Sequence, residues 1–305
     1  MPRVIRYDRV PTEQQHPRSR HLDRLSTRAL LRLMHREDAR AIEAVGRALP
    51  QIALAVECIA RSLRRGGRLW FIGAGTSGRL GVLEATECPP TFSTNPSLVQ
   101  AIIAGGRRAV FRSQEGAEDD RMSARRAVRR RVRRGDVVVG ITASGVTPFV
   151  AEALRAASRL GASTVLVTSH PRPPIPSQVR VSLAIGPEVL SGSTRLKAGT
   201  ATKLVLNMLT LGAMVRLGRT YGNLMVDVRP TSRKLRARAV RIIRSLTGCS
   251  EPSAVVSLRA ARGRVKVAVL MASNGLTASA ARRRLTSVDG SLHRALVVER
   301  ATRNA

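Results

Sequence analysis

The sequence is poor in aromatic and in acidic residues. Phe, Trp and Tyr make up 2% of its 305 residues, too few to build the stacking platforms that hold single-stranded nucleic acid. Lysine and arginine total 53 against 20 aspartates and glutamates, which gives a formal net charge of +33. Because the arginines are spread along the whole chain, we predict a solvated basic surface that attracts anionic substrates, and no specific nucleic-acid partner.

Cysteine is scarce too, and long apolar runs are missing. Cys58, Cys88 and Cys249 are odd in number and far apart, and neither they nor the five histidines have the spacing of metal ligands. No apolar run at the start has signal-peptide length, and none elsewhere approaches the roughly 18 residues of a membrane span. These absences predict a cytoplasmic protein with no metal, no disulfide framework and no membrane partner.

The chain does have a regular alternation of short apolar runs and helical patterns. With 43% hydrophobic residues it can bury a large core. The runs are rich in β-branched and aliphatic residues, as in strands covered on both faces, and lie at 68–72, 98–103, 136–141, 163–168 and, more weakly, 179–185. This alternation predicts an α/β fold with a parallel sheet flanked by helices.

Helical patterns account for most of the remaining chain. A polar N-terminal arm, docked by Leu22 and Leu25, precedes a helix that is interrupted at Pro50. A nearly uncharged helix over 198–217 must be buried, against the sheet or against a second subunit. From Ser232 onward, the pattern predicts a small C-terminal helical module.

A glycine-rich loop after the first strand is a candidate ligand site. The strand runs into Gly73-Ala74-Gly75-Thr76-Ser77-Gly78, and a helical pattern follows. Glycines let the backbone approach a ligand, and the first N–H groups of a helix bind anions. Thr76 and Ser77 add hydroxyl donors, so we expect a phosphorylated small molecule. A dinucleotide is disfavoured because the next strand ends without a carboxylate, and a P-loop because Arg79 replaces its lysine.

A second hydroxyl-rich loop follows the third strand. Residues 142–148 contain Ser144 and Thr147, and Pro148 suits the first position of a helix. Ligands of open α/β sheets bind at the carboxyl edge of the strands, where both loops should lie. We therefore predict that Ser144 binds ligand, and that Thr147 either binds ligand or caps the helix.

Carboxylates cluster near these loops although acidic residues are few. The segment EGAEDD at 115–120 contains Glu118, and its two aspartates suit the positive end of the helix that follows. Glu84 and Glu87 lie three residues apart on the first helix, and Glu87 is predicted at its C-terminal end, just before two prolines. A carboxylate is electrostatically unfavourable there, which indicates a functional use.

These motifs, in this order, resemble the N-acetylmuramic acid 6-phosphate etherases, which are built on a sugar isomerase (SIS) domain and related to the vertebrate glucokinase regulatory proteins. The matching blocks are GAGTSGRLGVLEATECPPTF at 73–92, AIIAGG at 101–106, EGAEDD at 115–120, DVVVGITASGVTP at 136–148, GPEVLSGSTRLKAGTATKLVLNML at 186–209 and YGNLMVDVRPT at 221–231. The resemblance implies an arm over 1–25, a three-layer SIS-type sandwich over 26–230 and a small helical, UBA-like module over 231–305.

The resemblance also implies a reaction and a site. The substrate would be a phosphorylated amino sugar, N-acetylmuramic acid 6-phosphate, whose D-lactyl ether is broken without a cofactor to give N-acetylglucosamine 6-phosphate and D-lactate. The family's catalytic glutamates match Glu87, as proton donor to the lactate, and Glu118, as the second acid/base. The substrate-binding residues implied are Gly75, Thr76, Ser77, Ser144, Thr147, Ser193 and Lys197.

The last two of these residues have alternatives. Ser193 and Lys197 are expected at the rim, completing the site across a homodimer, but Lys197 would equally suit a cap or an interface ion pair.

Two other functions are compatible with these motifs. One is a SIS-type isomerase, which leaves the ether intact, and the other is a sugar-phosphate-binding regulator without turnover. The sequence departs from the family at Glu84, where aspartate is usual, at Gln114, where valine is common, and over 169–186, which is shorter and richer in proline.

Overall fold

The computed structural model describes residues 10–303, with side chains up to residue 297, so the first nine residues of the predicted arm lie outside the described part. The chain divides into two compact units. The first comprises Met1–Thr86 and Pro96–Thr210, and the second comprises Glu87–Asn95 and Leu211–Ala305.

Five parallel strands form one sheet in the first unit, in the order β2-β1-β3-β4-β5. Their bounds are β1 Leu69–Gly73, β2 Val99–Ile103, β3 Val137–Thr142, β4 Ser163–Thr168 and β5 Val179–Ser182. Every residue of β1 and β3 is buried, as expected for central strands with helices on both faces. All five predicted strands are present, the weak fifth being shorter than expected.

The helices surround this sheet. Those confined to the first unit are α1 (Thr27–Arg47), α2 (Leu49–Arg64), α4 (Arg108–Phe111), α5 (Arg121–Arg131) and α6 (Pro148–Arg159), while α3 (Gly75–Phe92) and α7 (Lys197–Arg216) continue into the second. Helices α5 and α6 share a buried core with the central strands, which includes Trp70, Ile72, Phe149 and Leu166. The α/β fold class is therefore confirmed.

Helix α3 differs from its prediction at both ends. It begins at Gly75, directly after Ala74, and Gly75 has a φ of +53° that most residues avoid, so the chain can turn sharply from the strand into the helix. It also runs through Pro89 and Pro90 to Phe92. Glu87 is therefore not at the C-terminal end of the helix, and its predicted position beside the negative end of the helix dipole is wrong.

Helix α7 corrects a second expectation. It is long and apolar enough to cross a membrane by length and composition, so the prediction that no apolar stretch approaches that length is wrong. Over the 18 most apolar consecutive residues of this helix, 56% of the residues are buried inside the protein. The core helix of a globular protein meets the same criteria of length and composition.

The N-terminal arm is held by residues other than those predicted. Val10, Thr12 and His16 are buried, whereas Leu25 is 36% exposed. The Nε2 atom of His16 lies 3.2 Å from Oε1 of Glu37, a residue of α1. Short polar contacts, together with Val10, therefore fix the arm to the first unit.

The second unit is helical. It contains α8 (Arg233–Thr247), α9 (Glu251–Ala260), α10 (Val265–Asn274), α11 (Ala278–Ser287) and α12 (Leu292–Arg303). Its core includes Val226, Ile243 and Leu270. Buried Lys266 donates to Asp227 Oδ2 and to two backbone carbonyls at 2.8–2.9 Å, which satisfies its three protons.

Candidate active site

The two hydroxyl-rich loops line one pocket at the carboxyl edge of the sheet. They meet because β1 and β3 are neighbouring parallel strands. The pocket has a volume of about 190 Å³. Its lining comprises the start of α3, the loop from β3 to α6, Glu118 and Thr194.

The β1 side of the pocket is the first turn of α3. The N–H groups of Gly75, Thr76 and Ser77 have no partner within the helix, because the first turn of any helix leaves its donors free. The hydroxyls of Thr76 and Ser77 form no hydrogen bond with the described residues and are available to a ligand. A Cβ at Gly78 would lie 2.7 Å from the carbonyl oxygen of Gly73, so glycine is needed for the helix to start this close to the strand.

Three hydroxyls are joined on the β3 side. The Oγ1 atoms of Thr142 and Thr147 are 2.8 Å apart, and Ser144 Oγ lies 3.2 Å from Thr142 Oγ1. Thr147 makes no side-chain capping bond to α6, so the capping alternative is wrong. The N–H of Gly145 donates to Thr142 Oγ1 at 3.2 Å, and that of Val146 to Ser144 Oγ at 3.3 Å. These two hydroxyl oxygens are thereby fixed as acceptors, and their protons can point to a neighbour or to a ligand.

The pocket offers an anion helix N-termini in place of cationic side chains. Among the described residues that line it there is no lysine or arginine, although the net charge of the chain is +33. The N-termini of α3 and α6 both face the pocket, and each carries a partial positive charge. Free N–H groups and hydroxyls at two helix starts suit a phosphate group.

Glu118 is the one carboxyl group among the described residues that line this pocket. It lies in a 3₁₀ turn over Ala117–Asp119 and keeps more than a third of its surface exposed while it lines the pocket. Partial burial raises the pKa of Glu118, and the negative charges of Asp119, Glu115 and Glu13 raise it further. A carboxyl group in this position exchanges protons closer to neutral pH than an ordinary glutamate does.

Comparisons with known proteins identify the family. A model of the glucokinase regulatory protein N-terminal SIS domain matches residues 51–158. An N-acetylmuramic acid 6-phosphate etherase of Cutibacterium acnes is 52% identical over 92% of this chain and 93% of its own length. Another, from Gloeobacter violaceus, is 55% identical over 85% of this chain and 86% of its own. The chain belongs to the N-acetylmuramic acid 6-phosphate etherase family.

Solved structures that resemble this chain have much lower sequence identity to it than these relatives have. A phosphoheptose isomerase of Neisseria gonorrhoeae aligns with 63% of this chain and 98% of its own, with 16% identity and a TM-score of 0.46.

The other residues expected from the etherase family have different environments. Glu87 is exposed on α3 and belongs to the second unit, whereas Glu118 belongs to the first. Glu84 is buried; it accepts a hydrogen bond from Thr210 and lies 3.4 Å from Lys203 Nζ.

Among the described residues, no group of three or more His, Cys, Asp and Glu side chains has the arrangement of a metal site.

Lys197 is not among the residues that line the pocket. Its side chain is 2% exposed, and its Nζ lies 2.6 Å from Oε2 of Glu37. Its backbone N–H and that of Ala198 donate to the carboxylate of Glu188, which caps α7. The position at the rim that was expected for Lys197 is thus replaced by a buried ion pair within the first unit.

Thr194 lines the pocket although the sequence pattern did not single it out. It follows Ser193, which is half-buried and does not line the pocket. The Gly-Ser-Thr run at 192–194 was the available signal, since either hydroxyl suits a ligand. The N–H of Gly192 donates to the carbonyl of Thr12 at 3.0 Å, so the N-terminal arm helps to place Thr194.

The proline-rich stretch at 169–186 supports the pocket from outside. A Cβ at Gly145 would lie 2.6 Å from the Cβ of His170, so the stretch packs directly against the β3 loop. Ser182 Oγ donates to the carbonyl of His170 at 2.6 Å, and burial lowers the pKa of His170. Changes in this stretch therefore act on Ser144 through the backbone of its loop.

Proposed function

We propose that this protein cleaves the D-lactyl ether of N-acetylmuramic acid 6-phosphate to give N-acetylglucosamine 6-phosphate and D-lactate. Membership of the etherase family over most of the chain supports this activity. The structural observation that carries the proposal is Glu118, a carboxyl group of raised pKa that lines a pocket of hydroxyls and helix N-termini.

The phosphate would be held by the start of α3 and the loop before α6. Thr76, Ser77 and Ser144 offer hydroxyls, and the first turn of α3 offers backbone N–H groups. These donors are positioned by the backbone and need little rearrangement when the ligand binds. Phosphate binding at this point would place the open-chain sugar next to Glu118.

The reaction would be an elimination followed by addition of water. In the open-chain sugar, C2–H is α to the aldehyde and the ether oxygen is on C3. A base removes the C2 proton, the C3–O bond breaks, and lactate leaves after taking a proton from an acid. Water then adds across the C2=C3 bond, its hydroxyl to C3 and its proton to C2. The sum consumes one water, as in a carbon–oxygen lyase of the hydro-lyase type.

We assign the C2 proton and the activation of water to Glu118. A general base works best when its pKa lies near the operating pH, and the pKa of Glu118 is raised in that direction. Glu87 would donate the proton to the departing lactate, a role that rests on the family resemblance. Ser193 would bind substrate at the rim, for the same reason.

We also propose a homodimer located in the cytoplasm. Large apolar side chains on α1 and α2 are exposed, among them Leu31 at 58%, Ile42 at 61% and Leu54 at 63%. Such side chains suit burial against a second copy. The three cysteines are free thiols, which suits a reducing compartment. Light scattering that gives the mass of one chain, or cell fractionation that places the protein outside the cytoplasm, would refute the respective statement.

The proposed reaction is tested by incubation with N-acetylmuramic acid 6-phosphate in water enriched in oxygen-18. We expect D-lactate without the label, and N-acetylglucosamine 6-phosphate with oxygen-18 on C3, because elimination breaks the bond between C3 and oxygen. Label in the new hydroxyl of lactate would indicate cleavage on the other side of that oxygen. An intact ether with a shifted carbonyl would indicate an isomerase, and binding without any product would indicate a regulator.

A further inference from the structure

A second cleft lies at the opposite, amino edge of the same sheet. Its volume is about 480 Å³, and it lies beside the end of α2, the loop that leads into β3, and the start of β4. Its lining includes Arg61, Arg65, Arg68, Arg133 and Arg134. Among the described residues that line it, Asp136 is the one carboxylate.

Asp136 is fully occupied and cannot neutralise the other arginines. Its carboxylate lies 2.8 Å from Arg68 Nη2 and accepts from the indole N–H of Trp70 at 3.0 Å. It also accepts from the backbone N–H groups of Arg68 and Arg133, each at 3.0 Å. Asp136 is 2% exposed, and these contacts use the lone pairs of both its oxygens.

Capping of helix C-termini does not account for the remaining arginines. Arginines near such termini commonly bond the last carbonyls of the helix. Arg68 does this, with its Nη2 2.6 Å from the last carbonyl of α5. The side chains of Arg61, Arg65, Arg133 and Arg134 form no hydrogen bond or ion pair within the described part of the chain.

The two segments that carry these arginines are locked together. Ser62 Oγ donates to the carbonyl of Gly135 at 2.5 Å. A Cβ at Gly67 would lie 2.3 Å from that same carbonyl oxygen, so no other residue allows this close approach. The end of α2 and the loop before β3 therefore form a fixed floor, from which the guanidinium groups extend into one cleft.

We propose that this cleft binds a small polyanion that carries two or more phosphate groups. Guanidinium groups bind phosphate oxygens in pairs, and several of them match a di- or triphosphate better than a single phosphate. Trp70 is 2% exposed, so it offers no face on which a nucleobase could stack. Recognition would thus be directed to the phosphates. This site is separate from the hydroxyl pocket at the carboxyl edge.

The test is calorimetric titration of the full chain with inorganic pyrophosphate, tripolyphosphate and orthophosphate in physiological salt. We expect one site per chain, with tripolyphosphate and pyrophosphate tighter than orthophosphate. The double substitution Arg61→Gln and Arg134→Gln should weaken tripolyphosphate binding by about tenfold or more, because it removes two charge-assisted contacts. Release of D-lactate should be unchanged, which shows that the variant is folded.

The matched control is Arg32→Gln with Arg36→Gln, which removes two exposed arginines of α1 outside the cleft. It should leave tripolyphosphate binding unchanged. Equal weakening by both double variants would overturn the proposal, since binding would then follow the overall charge. Absence of pyrophosphate and tripolyphosphate binding would overturn it too. So would a short single-stranded oligonucleotide that binds through Arg61 and Arg134 more tightly than tripolyphosphate does.

Discussion

The two edges of the sheet offer different chemical groups to an anion. At the carboxyl edge, the described lining of the pocket is made of hydroxyls, helix N-termini and Glu118, without lysine or arginine. At the amino edge, the described lining of the cleft includes five arginines and one buried aspartate. Helix N-termini carry a partial positive charge and C-termini a partial negative one, so only the carboxyl edge can bind phosphate with its backbone.

This difference distinguishes groups that position a bound anion from groups that only attract it. Donors fixed by the backbone hold a phosphate in one position, which a reaction at a neighbouring carbon requires. A high net charge attracts anions to the whole surface and does not position them. We therefore expect substitutions at the carboxyl edge to change catalysis, and those at the amino edge to change stability or polyanion binding.

The largest effect is expected at Glu118. Glu118→Gln should lower the rate of D-lactate release by about 10²- to 10⁴-fold, the usual contribution of a general acid or base. Binding of the sugar phosphate should remain, since the hydroxyls and N–H groups are untouched. Glu115→Gln, in the same acidic segment, is the control and should release lactate at close to the normal rate. Equal losses in both variants would remove Glu118 from its assigned role.

At the amino edge, Asp136→Asn should act on stability. It removes a buried carboxylate charge that pairs with the partly exposed Arg68 and accepts a hydrogen bond from Trp70, which we expect to cost about 3 kcal/mol in the free energy of unfolding. Urea denaturation measures this loss, while lactate release per folded molecule should stay the same. If the variant were fully stable but released lactate slowly, the amino edge would affect catalysis, and the assignment of catalysis to the carboxyl edge alone would be wrong.

Single hydroxyls of the pocket should have smaller effects. Ser144→Ala removes one donor to a charged group, worth about 1.5–3 kcal/mol, so KM for the phosphosugar should rise by roughly ten- to a hundredfold. Ser163→Ala is the matched control, because Ser163 lies at the start of β4 and lines the amino-edge cleft. A rise in KM for Ser163→Ala comparable to that for Ser144→Ala would refute the assignment of phosphate to the carboxyl edge.

The smallest effect concerns pH. The charge of Glu115 contributes to the raised pKa of Glu118, so Glu115→Gln should lower that pKa. Because a base acts in its deprotonated form, the acid limb of the kcat/KM profile should move to lower pH. Glu43→Gln, the same charge change on α1, should leave the limb in place. A shift to higher pH would contradict the account.

Local pattern was sufficient to predict the sheet and the loops of the pocket. Strands β1 and β3 are uninterrupted apolar runs followed by small residues, and parallel neighbours must present their loops at the same edge. Residues Thr76, Ser77 and Ser144 consequently lie where the sequence predicted. Their roles as ligands remain predictions.

Other features could not be predicted because they depend on contacts between residues that are distant in the sequence, or on the exact path of the backbone. Lys197 has the appearance of an anion ligand near a helix start, but its partner Glu37 lies 160 residues away. The length of α3 was predicted incorrectly, because two prolines usually end a helix, whereas this helix continues through them to Phe92. Thr194 was missed in favour of Ser193, since two adjacent hydroxyls cannot be told apart without the backbone path.

The most direct test of the central claim is exchange of the C2 proton. N-acetylglucosamine 6-phosphate is incubated with the protein in D₂O, and loss of its C2–H signal is followed by NMR. The unaltered protein should replace this proton with deuterium, and Glu118→Gln should not, although it still binds the sugar phosphate. Exchange by Glu118→Gln at the unaltered rate would show that another group removes the proton, and the account of the pocket would be wrong.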